Sequence, residues 1–159
     1  MKEKIERLWK SIATIFLLAV VVNYPWELAQ APLYEGMSDF SFALWHCLVA
    51  SLGDGMLVLL IFGAGWAALR RSNWFVNPRR RGYLLMLAAG LVIGMVVEWA
   101  AVHVMGRWTY APRMPVIPIL NIGLAPVAQM LALPPLIFRA VAMSHRGVRD
   151  GEGGGSGEV

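Results

Sequence analysis

Four stretches of this chain stay apolar for about the thickness of a bilayer's hydrocarbon core: about Leu8 to Gln30, Ser41 to Leu69, Gly82 to Met105 and Ile117 to Val141. A helix needs roughly 20 mostly apolar residues to make that crossing. No other feature restricts the fold as tightly. A segment in lipid must satisfy its backbone N–H and C=O groups internally, which leaves helices or a closed barrel. These runs are far longer than barrel strands, so the expectation is an all-α, four-helix transmembrane bundle over residues 1–143. Composition agrees, at 58% hydrophobic and only 15% charged with mean hydropathy +0.58, where a water-soluble domain carries about a quarter charged residues. The first run continues into Trp26 and Glu27 with no small-x-small site, so it is expected to be retained rather than cleaved as a signal peptide. Residues 144–159, which end in GEGGGSGEV, are expected to form a flexible glycine-rich tail.

Positive residues near helix ends stay on the cytoplasmic side of a membrane. Lys2, Lys4, Arg7 and Lys10 precede the first run, Arg70, Arg71, Arg79, Arg80 and Arg81 fill the second connection, and Arg139, Arg146 and Arg149 follow or end the fourth. Twelve of the fourteen Lys and Arg residues therefore fall on one side, leaving only Arg107 and Arg113 on the other. Both termini are expected in the cytoplasm, and an inner-membrane location follows. The basic pI of about 9.6 is then a topology signal and implies no nucleic-acid partner. The single cysteine, Cys47, excludes an internal disulfide, and no Cys-x-x-Cys or P-loop pattern is present.

Against this apolar background the ionisable side chains stand out. Asn23, Glu27 and Gln30 are spaced four and three apart, so they share one face of the first helix. At about 1.5 Å per residue, Glu27, His46, Glu98 and Asn121 fall at similar depth near the outer ends of the four helices, with Asp54 and Gln129 deeper. A charged side chain in hydrocarbon costs at least about 2.5–3.5 kcal/mol. The acids are therefore expected to converge on the bundle interior, where Glu27, His46, Asp54 and Glu98 form a candidate catalytic set. Two carboxylates and a histidine would suit a zinc or non-haem iron site, and an acid/base pair is the alternative. Asn23, Gln30, Asn121 and Gln129 line the same region as ligand-binding or interhelical hydrogen-bonding groups.

Gly90 and Gly94, in GLVIG, and Gly53 and Gly55, around Asp54, are expected to permit close helix approach. Trp45, Trp99, Trp108 and Tyr110 are expected in an outer aromatic belt and Trp9, Trp66 and Trp74 in an inner one. The loop GRWTYAPRMPVIP is rich in proline that blocks regular helix, and Pro126 is expected to interrupt helix four. This loop, with Arg107, Trp108 and Tyr110, is expected to fold back over the bundle mouth as a lid, and Tyr34 of the first outer loop to do likewise.

The blocks WELAQAPLY, HCLVASLGD and EWAAVHVMGRWTYAPRMPVIPILNIGLAPVAQ together resemble a group of small bacterial four-helix membrane proteins, and that resemblance implies the fold and an inner-membrane location. Glu98, Trp108, Tyr110, Pro115 and Pro118 also resemble a segment of membrane carotenoid cyclases and hydratases, which implies an apolar, isoprenoid-like or lipid substrate. Two readings follow. In one, the chain binds or acts on a hydrophobic ligand drawn from the membrane lipids, through acid/base or metal chemistry. In the other, it is an accessory subunit of a larger respiratory or photosynthetic complex. A small proton-coupled transporter, with homo-oligomers supplying further helices, is a third.

Overall fold

The computed structural model describes residues 2–37 and 39–153. Four long helices dominate it: α1 (Lys2–Gln30), α2 (Phe40–Leu69), α3 (Arg79–Trp99) and α4 (Leu124–Gly153). All four are long and apolar enough to cross a membrane. α1 packs on α2 and α4, α4 packs on α3, and α3 closes the ring more loosely against α2.

The burial pattern is that of a membrane bundle. Leu17, Val21, Leu60, Leu84 and Val92 lie on exposed faces, whereas Asn23, Gln30, Ser51, Glu98 and Gln129 are buried. In water that arrangement would expose a large apolar surface and hide polar groups that prefer solvation.

Helix ends follow local chemistry. The Asp39 side chain caps α2, its Oδ1 accepting from the Phe42 N–H at 2.8 Å and the Ser41 hydroxyl at 2.6 Å. At the other end Arg70 turns left-handed, φ 56°, and its N–H donates to the Trp66 carbonyl at 2.9 Å. The chain then makes a short 3₁₀ turn, Trp74–Val76, before entering α3.

Three of the expected element boundaries move. Helix three keeps α geometry only to Trp99 and continues as a π-helical turn over Ala100–Val104. Residues expected to open helix four instead form a small antiparallel hairpin, β1 (Val116–Ile117) and β2 (Ile122–Gly123), paired Val116 to Gly123 and Ile117 to Ile122. The hairpin closes through its own backbone bonds, the Asn121 N–H donating to the Ile117 carbonyl and the Leu124 N–H to the Pro115 carbonyl, both at 2.8 Å. Pro126 does not interrupt α4, because it sits in the first turn, where an N–H has no intrahelical acceptor. α4 also runs on to Gly153 rather than ending near 141, so part of the expected tail is helical, and residues 154–159 lie outside the described residues.

The bundle interior divides into two halves. Toward the arginine-rich end it is apolar, with Ile15, Val58, Ile61, Phe62, Phe138 and Trp74 fully or almost fully buried. Trp74 is therefore a core residue and not part of an interfacial belt: its indole N–H donates to the Phe62 carbonyl at 3.1 Å and its ring lies 5.5 Å from that of Phe138. Trp9, Trp45, Trp66 and Trp99 are exposed. Toward the other end the interior is polar.

Candidate functional site

The helix pairing sets what meets in the polar half. Gly55 of α2 faces Phe16 and Val20 of α1, so each step toward the far end of α1 corresponds to a step back along α2. Asn23, Glu27 and Gln30 then look onto Cys47, Ser51 and Asp54, a second stripe with the same four-and-three spacing. On the other side the row Gly90, Gly94 and Glu98 of α3 faces, in turn, Met130, Val127 and Gly123. The two glycines bring α3 and α4 together, as their spacing predicts.

Gln129 is the hub. Its amide nitrogen donates to Asn23 Oδ1 and to Asp54 Oδ2, both at 2.8 Å, and its oxygen accepts from Gln30 Nε2 at 3.1 Å. Gln30 Nε2 also donates to Glu27 Oε1 at 2.6 Å, and Asn23 Nδ2 donates to the Ala19 carbonyl at 2.8 Å. The Asp54 carboxyl completes the chain through a hydrogen-bonding contact with that of Glu27. Three helices thus contribute to one amide–carboxyl network with Gln129 buried at its centre.

Glu98 anchors a second group. It is 3% exposed, and its Oε1 accepts from the Tyr110 hydroxyl at 2.6 Å and the Trp108 indole N–H at 3.4 Å. The Tyr110 oxygen in turn accepts from the Gly123 N–H of β2 at 2.7 Å. Trp108 and Tyr110 therefore leave the expected aromatic belt and turn inward onto a buried carboxyl.

The lid expectation holds for Tyr34, Trp108 and Tyr110, though not for Arg107. Tyr34 pairs with Tyr110 as a β-bridge, with Glu35 N–H donating to the Thr109 carbonyl and Ala111 N–H to the Leu33 carbonyl, both at 2.9 Å. The Tyr34 ring sits 6.0 Å from Trp108, edge to face, and 5.9 Å from Tyr110. Its phenol lies in the combined field of Glu98, Glu27 and Asp54, and burial first, then those carboxylates, drive its pKa well above the ordinary value. Burial, reinforced by the bond to Glu98, likewise raises that of Tyr110. Both phenols stay protonated donors at neutral pH.

Three candidate residues fall elsewhere. His46 is exposed and packs on Phe42, ring centroids 4.7 Å apart. It is one residue from Cys47, which puts it about 100° around α2 from the inward stripe. Asn121 is not in a helix but in the hairpin turn, exposed, with φ 51°. Its carbonyl and that of Leu120 accept from His103 Nε2, each at 3.2 Å. Arg107 is exposed, and its guanidinium has no partner among the described residues, so nothing marks it as a gate. With His46 outside, no three His, Cys, Asp or Glu side chains among the described residues form a group that could hold a metal ion.

Ser51 and Gly123 belong to the site's framework and were not singled out. The repeated four-and-three spacing in α2 was the signal that would have found Ser51 and set His46 aside. Among the described residues two buried side-chain atoms lack a hydrogen-bond partner, Gln30 Oε1 and Trp26 Nε1. The Gln30 amide cannot be reversed to cure this, because its nitrogen already faces two acceptor oxygens. No protein-family model, curated protein or solved structure matches this chain.

Proposed function

We propose that the chain is a multi-pass protein of the bacterial cytoplasmic membrane, with both termini in the cytoplasm, that binds the polar head of a hydrophobic, lipid-like or isoprenoid-like ligand and acts on it by proton transfer. The observation that carries this reading is the convergence of Glu27, Asp54 and Glu98, from three helices, beneath one aromatic cap. Helix packing alone needs no such concentration of carboxyls, each of which is costly in a membrane. Glu27 and Asp54, whose carboxyls meet between α1 and α2, form the first acid/base pair of the site. Gln30 and Gln129 hold both members in place. Glu98, oriented by Tyr110 and Trp108, is the second acid/base group. Gln30 Oε1, with no donor of its own, accepts a hydroxyl or amine hydrogen from the ligand head.

The test uses the full-length protein in mild detergent, with co-purified hydrophobic species identified by mass spectrometry and the fold followed by thermal unfolding. Wild type is expected to carry one defined species, and Glu27→Gln and Asp54→Asn to lose it by about tenfold or more while remaining folded. A wild-type protein that carries only bulk phospholipid, or variants that merely unfold, would favour the accessory-subunit reading instead.

A further inference from the structure

Two cavities open at the arginine-rich end, far from the acid cluster. One, of about 410 Å³, is lined by Trp66, Arg70 and Arg71 among others. Its two arginines are adjacent in sequence and do not converge from separate elements. The other, of about 380 Å³, is built differently. Arg79 reaches it from the start of α3, Tyr83 from the next turn, and Arg139 from α4. Phe75 and Met86, both almost fully buried, form an apolar floor with Pro135.

Neither Arg79 nor Arg139 has a carboxylate partner among the described residues, where the only ion pairs are Arg7–Glu3 and Lys10–Glu6. Two unpaired guanidinium groups beside a phenol match the bidentate recognition of a phosphate oxyanion. Met143, which lines the cavity, is 62% exposed, so the cavity is continuous with the apolar outer surface. A free phosphate would use the arginines but waste the apolar floor and flank. Arg79 also sits at φ 49°, a left-handed backbone that strains an L-residue and that glycine would relieve.

We propose that Arg79, Tyr83 and Arg139 hold the phosphodiester headgroup of an anionic phospholipid, with its acyl chains lying along the outer faces of α3 and α4. Basic cavities between membrane helices suit such headgroups. The site is independent of the acid cluster and of any reaction there.

Full-length protein is reconstituted in phosphatidylcholine nanodiscs, titrated with phosphatidylglycerol, and the retained lipid counted by native mass spectrometry. Wild type is expected to retain phosphatidylglycerol over phosphatidylcholine. Arg79→Gly and Arg139→Gln are each expected to weaken retention about fivefold. Arg79→Gly relieves backbone strain, so its thermal unfolding should be unchanged or improved, which separates loss of lipid from loss of fold. Arg70→Gly is the control: it removes the same charge from the same end at a residue with the same left-handed backbone, φ 56°, and should leave retention intact. No preference in wild type, an equal loss in Arg70→Gly, or displacement of the lipid by excess inorganic phosphate would each overturn the proposal.

Discussion

Gln129 makes the best single test of the polar interior, because three other side chains depend on it. Replacing it with leucine, close in size, leaves Asp54 Oδ2, Asn23 Oδ1 and one Gln30 donor without their bonds to it. Each buried group so orphaned costs about 1–3 kcal/mol, and in lipid some of that is recovered through other partners. Gln129→Leu is therefore expected to lower stability by about 2–4 kcal/mol, more than any other single change in the network, as read by reversible unfolding in mixed micelles. The two capping phenols give a pH signature. Their pKa values are raised in the folded protein, so the folded state keeps protons that the unfolded chain releases above about pH 10. Stability contributed by these protons is fully present below that pH and is lost as pH rises beyond it. Thermal unfolding midpoints should thus be insensitive to these groups from neutral pH to about 10 and fall above it, and Tyr110→Phe should reduce the alkaline fall.

At the level of elements, the glycines separate into those that touch a neighbour and those that do not. A Cβ on Gly90 would meet the Met130 backbone carbonyl, whereas Gly53 and Gly63 have nothing within 4 Å. Gly90→Ala is expected to push α3 from α4 and destabilise by about 1–3 kcal/mol, with Gly53→Ala neutral or stabilising by up to about 1 kcal/mol. Parallel unfolding measurements on the two variants check the contrast. This packing was legible in the sequence because a bilayer enforces the segment lengths and an i, i+4 glycine row has few other uses. Membership of Glu27, Asp54, Glu98, Gln30 and Gln129 in one interior was legible for a similar reason, the cost of leaving them in lipid. Depth along separate helices was legible too: Asp54 and Gln129 meet at Asn23, one turn deeper than Glu27, and the register set by Gly55 against Phe16 and Val20 puts His46 about level with Glu27. The face was not legible for His46, which points outward. Residues 117–123 are apolar enough to suggest a helix start, yet they belong to the hairpin. Its two prolines marked the break, but apolar content alone cannot say whether such a segment enters the bundle or lies across it.

For the molecule as a whole, sidedness is the feature that organises both proposals, and it can be read with one engineered thiol at a time. The single native cysteine is buried, so background labelling by a membrane-impermeant maleimide should be low. Ile119→Cys, at a position 94% exposed on the hairpin, is expected to react in intact cells. Arg71→Cys, in the opposite connection, should react only after lysis. The reverse pattern would place the arginine-rich end outside and remove the basis for the cytoplasmic assignment. One consequence of the bridge between Tyr34 and Tyr110 reaches further. Backbone bonds flank that bridge on both sides and tie the two outer loops together. A solute arriving from the aqueous phase would meet that bridge first, whereas the least tightly packed seam of the ring, between α2 and α3, borders the bilayer. Access is then governed by partitioning: a compound's concentration at the carboxyls is set by how well it dissolves in the bilayer, so hydrophilic analogues bearing the same head should fail to compete however well that head fits.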